Sequence, residues 1–366
     1  MKVAPINVGL IYSKTGLLAS YGAMYDAGFN AGLDYATHST GIVLGHEIVV
    51  TECDDGGDPA KAVAAAKDLI VQDYKIIAGT TASGIAEQMA PLAKENDILY
   101  ISGTAATDAI TGANRNTFRS GRQTYQDVVT AGFIIRESLQ GKRVVVFAQE
   151  TAFGEAYYNS VDAVLGAQGA SVSSIYVPQS ADDFIPFAQK INAAHPDMVF
   201  VAWGGATGVA MWKALADAKV MASTLVVTGL EQRASYPFFG TVELHFFSHY
   251  FYQAPRNKVN DALIAAMKKQ GKVPDLFNPD GFVAAQMIVH AIEETGGDDV
   301  GKMISALEGW TFEAPKGQQT VRAADHAMIQ PMFVAKLVAS RGGGYEPRLT
   351  GTFPAAAAAP PVKPLE

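Results

Sequence analysis

The chain has 366 residues, 49% hydrophobic and 17% charged, with a net charge of −8 and a mean hydropathy of +0.10. That length accommodates two domains with separate cores, while the acidic balance and the lack of any basic run argue against a nucleic-acid partner. A single cysteine, Cys53, excludes an internal disulfide or a cysteine-based zinc site, and no apolar run reaches the roughly 18 residues of a membrane helix.

Strand-like and helix-like segments alternate along the chain. Residues 6–13 read as a strand, 19–35 as a helix and 46–54 as a strand. Then comes Asp54-Asp55-Gly56-Gly57-Asp58-Pro59, in which Asp58 suits an N-cap and Pro59 a first helical turn. The helix at 59–73 leads to a strand at 75–78 that opens into Gly79-Thr80-Thr81-Ala82-Ser83, and a helix over 83–94. Free N–H groups and the helix dipole converge at such a junction and favour a negative group. Without a phosphate-loop lysine or a dinucleotide glycine spacing, a small carboxylate is the expected anion.

After a strand at 98–102 the rhythm pauses at 117–122 and a second series begins. Helices are expected at 123–139, 154–165, 182–194 and 208–218, and strands at 143–148, 171–177, 198–202 and 225–228. An aromatic-rich extended segment spans 243–252, followed by helices at 258–269, 281–294 and 300–307 and a strand over 329–339. Two such α/β series predict two lobes of parallel sheet with a cleft between them, and ligands bind beyond the carboxyl ends of the strands. The Ala/Pro-rich end reads as a disordered tail over 351–366. Met1 against a strand-like start, and Leu365-Glu366 resembling cloning-site residues, suggest a mature segment whose signal peptide has been removed.

The strand ends carry a family resemblance. Tyr12 to Gly16 with Tyr21-Gly22, Asp54 to Pro59, Gly79 to Ser83, Ile98 to Thr107, Phe118-Arg119, Phe153-Gly154, Asp182 to Phe184, Pro196-Asp197 and Arg322 to His326 occur in an order that resembles the type I periplasmic binding proteins. The resemblance is to the branched-chain amino-acid group serving ABC importers. It implies two Rossmann-like lobes, parallel sheets flanked by helices and three crossovers, closing like a hinge around a solute. The implied lobes are 1–119 with 250–325, and 120–249 with 326–350. It also implies no catalysis, no cofactor, a monomer, a periplasmic or otherwise extracytoplasmic location and a membrane permease as partner.

Carried across residue by residue, the resemblance places Ser83, beside Ala82, on the solute carboxylate. Thr104 and Ala106 fall on the loop that holds the amino-acid head, with the expected threonine displaced to Thr107. Phe153 covers the ligand in place of a phenol, Glu231 pairs with the α-ammonium, and Tyr21 and Phe277 line the side-chain pocket. An amino acid is a zwitterion, so a dry cleft has to offer it both an anion site and a cation site. An aromatic or other carboxylic acid is the alternative, as is an amide or urea. Arg122, beside Tyr125, would clamp the carboxylate, and Trp203, Phe153 and Tyr100 would sandwich the ring.

Plainer readings stand beside these. Ser83 would serve equally as a helix cap, and Glu231 as a loop carboxylate in solvent. Asp54, Asp55 and Asp58 lack calcium-loop spacing and suit turns. His245 and His249 lack a third metal ligand, so their segment is expected to be a crossover strand. Arg322 to His326 reads as an inter-lobe brace, and Trp203 as either core or ligand platform. Neither a nucleophile elbow nor a metalloprotease helix is present.

Overall fold

The computed structural model describes residues 3–135, 137–240 and 243–365. Strand β1 (Ile6–Tyr12) is buried along almost its whole length, as expected of a strand covered on both faces. It is followed by α1 (Ala19–Ala36), β2 (Ile42–Val43), β3 (His46–Asp54), α2 (Pro59–Val71), β4 (Ile76–Gly79), α3 (Ser83–Glu95), β5 (Leu99–Ser102) and β6 (Thr117–Arg119). These strands form a sheet in the order β2-β3-β1-β4-β5-β6, parallel except for the β2–β3 hairpin. Asp58 does cap α2, accepting from the Ala60 N–H at 2.8 Å.

The second series runs α4 (Thr124–Gly132), β7 (Arg143–Gln149), α5 (Ala152–Val164), β8 (Ser171–Val177), α6 (Ile185–Ala194), β9 (Met198–Ala202), α7 (Gly208–Asp217), α8 (Val220–Ser223), β10 (Leu225–Gly229), α9 (Tyr236–Phe239) and β11 (Phe246–Ser248). Then come α10 (Lys258–Lys269), α11 (Asn278–Thr295), α12 (Val300–Leu307), β12 (Thr311–Ala314), β13 (Gly317–Val321), β14 (Met328–Ile329), β15 (Met332–Ala339) and β16 (Tyr345–Phe353). The second sheet has the order β16-β15-β11-β10-β9-β7-β8, and β12-β13-β14 form a small third sheet.

The chain passes between the two lobes three times: after β6, after β11 and between β14 and β15. α11 returns to the first lobe and packs on α1 with almost touching backbones. A Cβ on Gly28 would lie 1.9 Å from the Asn278 carbonyl oxygen, and one on Gly281 would lie 2.0 Å from that of Tyr25.

Four expectations need correction. The strand expected over 329–339 is two, β14 in the small third sheet and β15 in the second, broken at Gln330-Pro331. Helix α4 ends at Gly132 rather than near 139. The aromatic segment is no crossover strand, because β11 lies inside the second sheet between β10 and β15, and the crossover starts at His249. The tail is not disordered over its described length. Residues 351–353 complete β16, and Ala358 is buried. Arg322, ion-paired with the buried Asp325 at 2.6 Å, donates to the carbonyls of Pro360 at 2.7 Å and Pro361 at 3.2 Å. The Lys363 N–H donates to Asp325 at 3.0 Å. Composition misses this because an Ala/Pro segment is held here through its backbone. Met1 and Glu366 lie outside the described residues.

Candidate functional site

The carboxyl ends of strands from both sheets face a cavity of about 280 Å³. From the first lobe it is walled by Tyr21, Ala82, Ser83, Thr104 and Ala106. From the second come Phe153, Trp203 and Glu231, and Arg122 and Phe277 complete the wall near the crossovers.

The first-lobe wall is built by the acidic loop. Asp54 accepts the Lys14, Thr15 and Gly56 N–H groups and the Thr15 hydroxyl, within 2.7–3.2 Å. The Thr15 hydroxyl, helped by those N–H groups, holds its pKa down at about 2. Asp55 accepts the Ser13 hydroxyl at 2.6 Å and the Gly57 N–H at 2.8 Å. Together they pin the 13–16 loop, which launches Leu17, Leu18 and Tyr21 into the wall.

Ser83 is the first residue of α3, and Ala82 occupies the cap position, so no side chain caps this helix. Ser83 Oγ instead accepts the Thr107 N–H at 3.2 Å, and Thr104 Oγ1 donates to the Thr81 carbonyl at 3.2 Å. The helix end at the cavity keeps its donors and its positive dipole end.

Glu231 is 9% exposed rather than solvated. Trp212 Nε1 donates to its Oε1 at 2.6 Å, and Gly208 leaves room for Oε2, since a Cβ there would lie 3.2 Å away. Burial raises the Glu231 pKa, while hydrogen bonds from Trp212 and Ser235 pull it back. Among the described residues no cationic side chain forms an ion pair with it.

Arg122 and Arg233 are both engaged elsewhere. Arg233 lies over the Tyr236 and Tyr252 rings, each centroid 5.6 Å away. Arg122 Nε donates to Asp127 at 3.1 Å, and Nη1 donates to the Thr104 carbonyl at 2.9 Å. Burial opposes the Arg122 charge, but Asp127, Tyr157 and Asp280 outweigh it and raise the pKa.

Phe277 is central to the aromatic wall, 4.7 Å from Tyr21 and 5.1 Å from His249 between centroids, with the Arg122 guanidinium 5.6 Å over its ring. Trp203 is both core and wall. It packs against Phe147 and Phe184 at 5.5 Å, and its Nε1 donates to Thr207 Oγ1 at 3.0 Å.

Thr107, Tyr125 and Tyr100 do not reach the cavity wall. The Thr107 hydroxyl donates to Glu87 at 2.7 Å and caps a short 3₁₀ turn. Tyr125 is half-buried at the start of α4, its N–H directed to Asp108. Tyr100 is fully buried, with its hydroxyl 2.5 Å from Thr80 Oγ1. Sequence reasoning missed Asp127, Tyr157 and His249 as wall residues. Tyr157 lies one helical turn beyond Phe153, its hydroxyl donating to Asp127 at 2.6 Å.

One rim of the cleft is shut. The Ala206 N–H of the second lobe donates to the Leu17 carbonyl of the first at 2.9 Å. Gly205 sits beside it at φ +85°, and a Cβ there would lie 2.5 Å from the same oxygen.

A family model for periplasmic binding proteins matches residues 5–343. The Leu/Ile/Val-binding protein homolog 3 of Brucella melitensis is 26% identical over 322 residues, covering 87% of each chain. A Rhodopseudomonas palustris structure, described as an ABC-type branched-chain amino acid transporter, superposes with a TM-score of 0.80 at 29% identity, covering 99% of this chain and 100% of that one. A second from that species, an ABC-transporter solute-binding protein in complex with 3,4-dihydroxybenzoic acid, gives 0.84 at 25% identity over 96% and 98%. With two sheets facing one cleft, the chain belongs to the periplasmic binding protein family, in the branched-chain amino-acid group of ABC-transporter solute-binding proteins.

Proposed function

We propose that this protein carries a small amino acid, branched-chain or otherwise apolar, to a membrane permease. It would do so as an extracytoplasmic monomer that encloses the solute by closure of two lobes and leaves it chemically unchanged. The moving bodies of this reading are 1–119 with 250–325, and 120–249 with 326–350. The observation that carries it is the buried Glu231, which has no cationic partner among the described residues and shares a cavity with the uncapped start of α3. A buried carboxylate without a counter-charge is unfavourable, and an ammonium group supplies that charge. Ser83 and the α3 N–H groups would take the carboxylate, Thr104 and Ala106 the rest of the head group, and Tyr21 and Phe277 the side chain. The names of the Brucella relative and of the first R. palustris structure agree with this assignment.

The alternative is an aromatic acid, favoured by Arg122 over Phe277 in the wall and by the ligand of the second R. palustris structure. It is weakened because Asp127 already neutralises Arg122, and Tyr100 is sealed away. Calorimetry with L-leucine, L-valine, L-alanine and benzoate, on wild type and Glu231→Gln, separates the two. An amino-acid carrier should lose about 2–4 kcal/mol of affinity in the variant. Tight benzoate binding unaffected by Glu231→Gln, with no amino-acid binding, would establish the alternative.

A further inference from the structure

The pocket expected to hold an apolar side chain contains a polar group that the family resemblance did not point to. His249, immediately after β11, is 5% exposed, forms part of the cavity wall and stacks on Phe277 at 5.1 Å. Its Nε2 lies 2.9 Å from the Leu276 carbonyl oxygen. A carbonyl only accepts, so Nε2 carries the proton and Nδ1 is left with a lone pair. Burial and the nearby charges of Arg122 and Lys316 keep the ring neutral. Among the described residues no group donates to Nδ1. Of the neighbouring donors, Ser248 Oγ donates to the Tyr250 carbonyl at 2.9 Å, and Arg122 donates through Nε to Asp127 and through Nη1 to the Thr104 carbonyl.

We propose that His249 is a specificity-determining residue whose Nδ1 accepts a hydrogen bond from a hydroxyl or N–H on the ligand's side chain, so that the preferred solute carries a donor there. This rests on the reading of the Tyr21–Phe277 wall as the side-chain pocket, and narrows it. A neutral imidazole selects a donor without demanding a charge, and a buried acceptor left unmatched penalises an all-apolar side chain.

The test is calorimetry on near-isosteric pairs that differ by one hydroxyl: L-valine with L-threonine, L-phenylalanine with L-tyrosine, and benzoate with 4-hydroxybenzoate. Wild type should favour the hydroxylated member of at least one pair by about tenfold. His249→Phe should abolish that preference, bringing the two affinities of the pair within about twofold of each other, with the plain member bound no more weakly than the hydroxylated one. His249→Asn, which keeps an acceptor, should retain part of it, and thermal unfolding verifies that both variants fold. Equal wild-type affinities within every pair, or an unchanged preference in His249→Phe, overturns the proposal. If amino acids bind without any hydroxyl preference, the amino-acid reading stands and this proposal falls. A His249-dependent preference seen only in the benzoate pair, with no amino acid bound, does the reverse. Binding of none of the six overturns both.

Discussion

Replacing Gly205 by alanine isolates lobe closure from ligand chemistry. At φ +85° a non-glycine residue is strained by about 1 kcal/mol whichever way the lobes sit. The added methyl would also lie 2.5 Å from the Leu17 carbonyl oxygen and 3.0 Å from Leu18 Cδ2, and that conflict exists only where the lobes touch. Overpacking of this kind costs about 1–3 kcal/mol, and the Ala206 N–H to Leu17 bond would be stretched or lost with it. Closed and liganded forms are linked, so this penalty should appear as a Kd about 5- to 150-fold higher. Gly296→Ala is the control, since its φ of +71° adds strain while, its chain neighbours aside, no heavy atom of the described residues would lie within 4 Å of the added methyl. Calorimetry with the tightest solute of the panel gives Kd, and small-angle scattering gives compaction. A Gly205→Ala protein that binds within about twofold of wild type and compacts equally would refute the assignment of this rim to closure.

Ser83→Ala should weaken solute binding by only about 1 kcal/mol, because the first-turn N–H groups of α3 remain; a loss beyond a hundredfold by calorimetry would contradict this. Trp212→Phe removes the donor at 2.6 Å from Glu231, letting burial raise that carboxyl further. Amino-acid affinity should therefore fall more at pH 6 than at pH 8, and an equal loss at both would count against the ammonium pairing. Asp280 is buried, its oxygens lack hydrogen-bond donors among the described residues and its pKa is pushed from 3.8 up to about 6, chiefly by burial. The folded protein thus holds a proton that the unfolded chain releases near pH 4, and the stability this contributes is lost as pH rises towards 6. Asp280→Asn should gain thermal stability relative to wild type between pH 4 and 7, and a constant difference in Tm would show that Asp280 does not titrate there.

The alternating pattern was legible because each lobe is built from local strand–helix units whose apolar faces declare themselves, as in β1, β4 and α2. The Asp58 cap and the placement of Ser83 at the start of α3 were legible for the same reason, each depending on neighbours a few residues away. What escaped depends on contacts distant in sequence. Thr107 looked like a displaced ligand residue, yet its hydroxyl is taken by Glu87 through the packing of α3 on the following loop. Arg122 read as a clamp in isolation. Only α4 brings Asp127 round to neutralise it, and only α5 adds the Tyr157 hydroxyl. His249 read only as part of a crossover strand, because register within β11 says nothing about the Leu276 carbonyl beyond the next crossover.

The pinned C-terminal segment changes how opening has to be pictured. Having left β16 in the second sheet, the chain runs back to Arg322 and Asp325, and the Asp325 carbonyl in turn accepts the Gly112 N–H beside β6 of the first. Mechanically this is a fourth tether parallel to three covalent ones, fastened by an ion pair and a few carbonyls instead of peptide bonds. A dye, surface anchor or fusion partner attached at this end would pull on the joint itself, so reporters of lobe movement are better placed on α6 or α12.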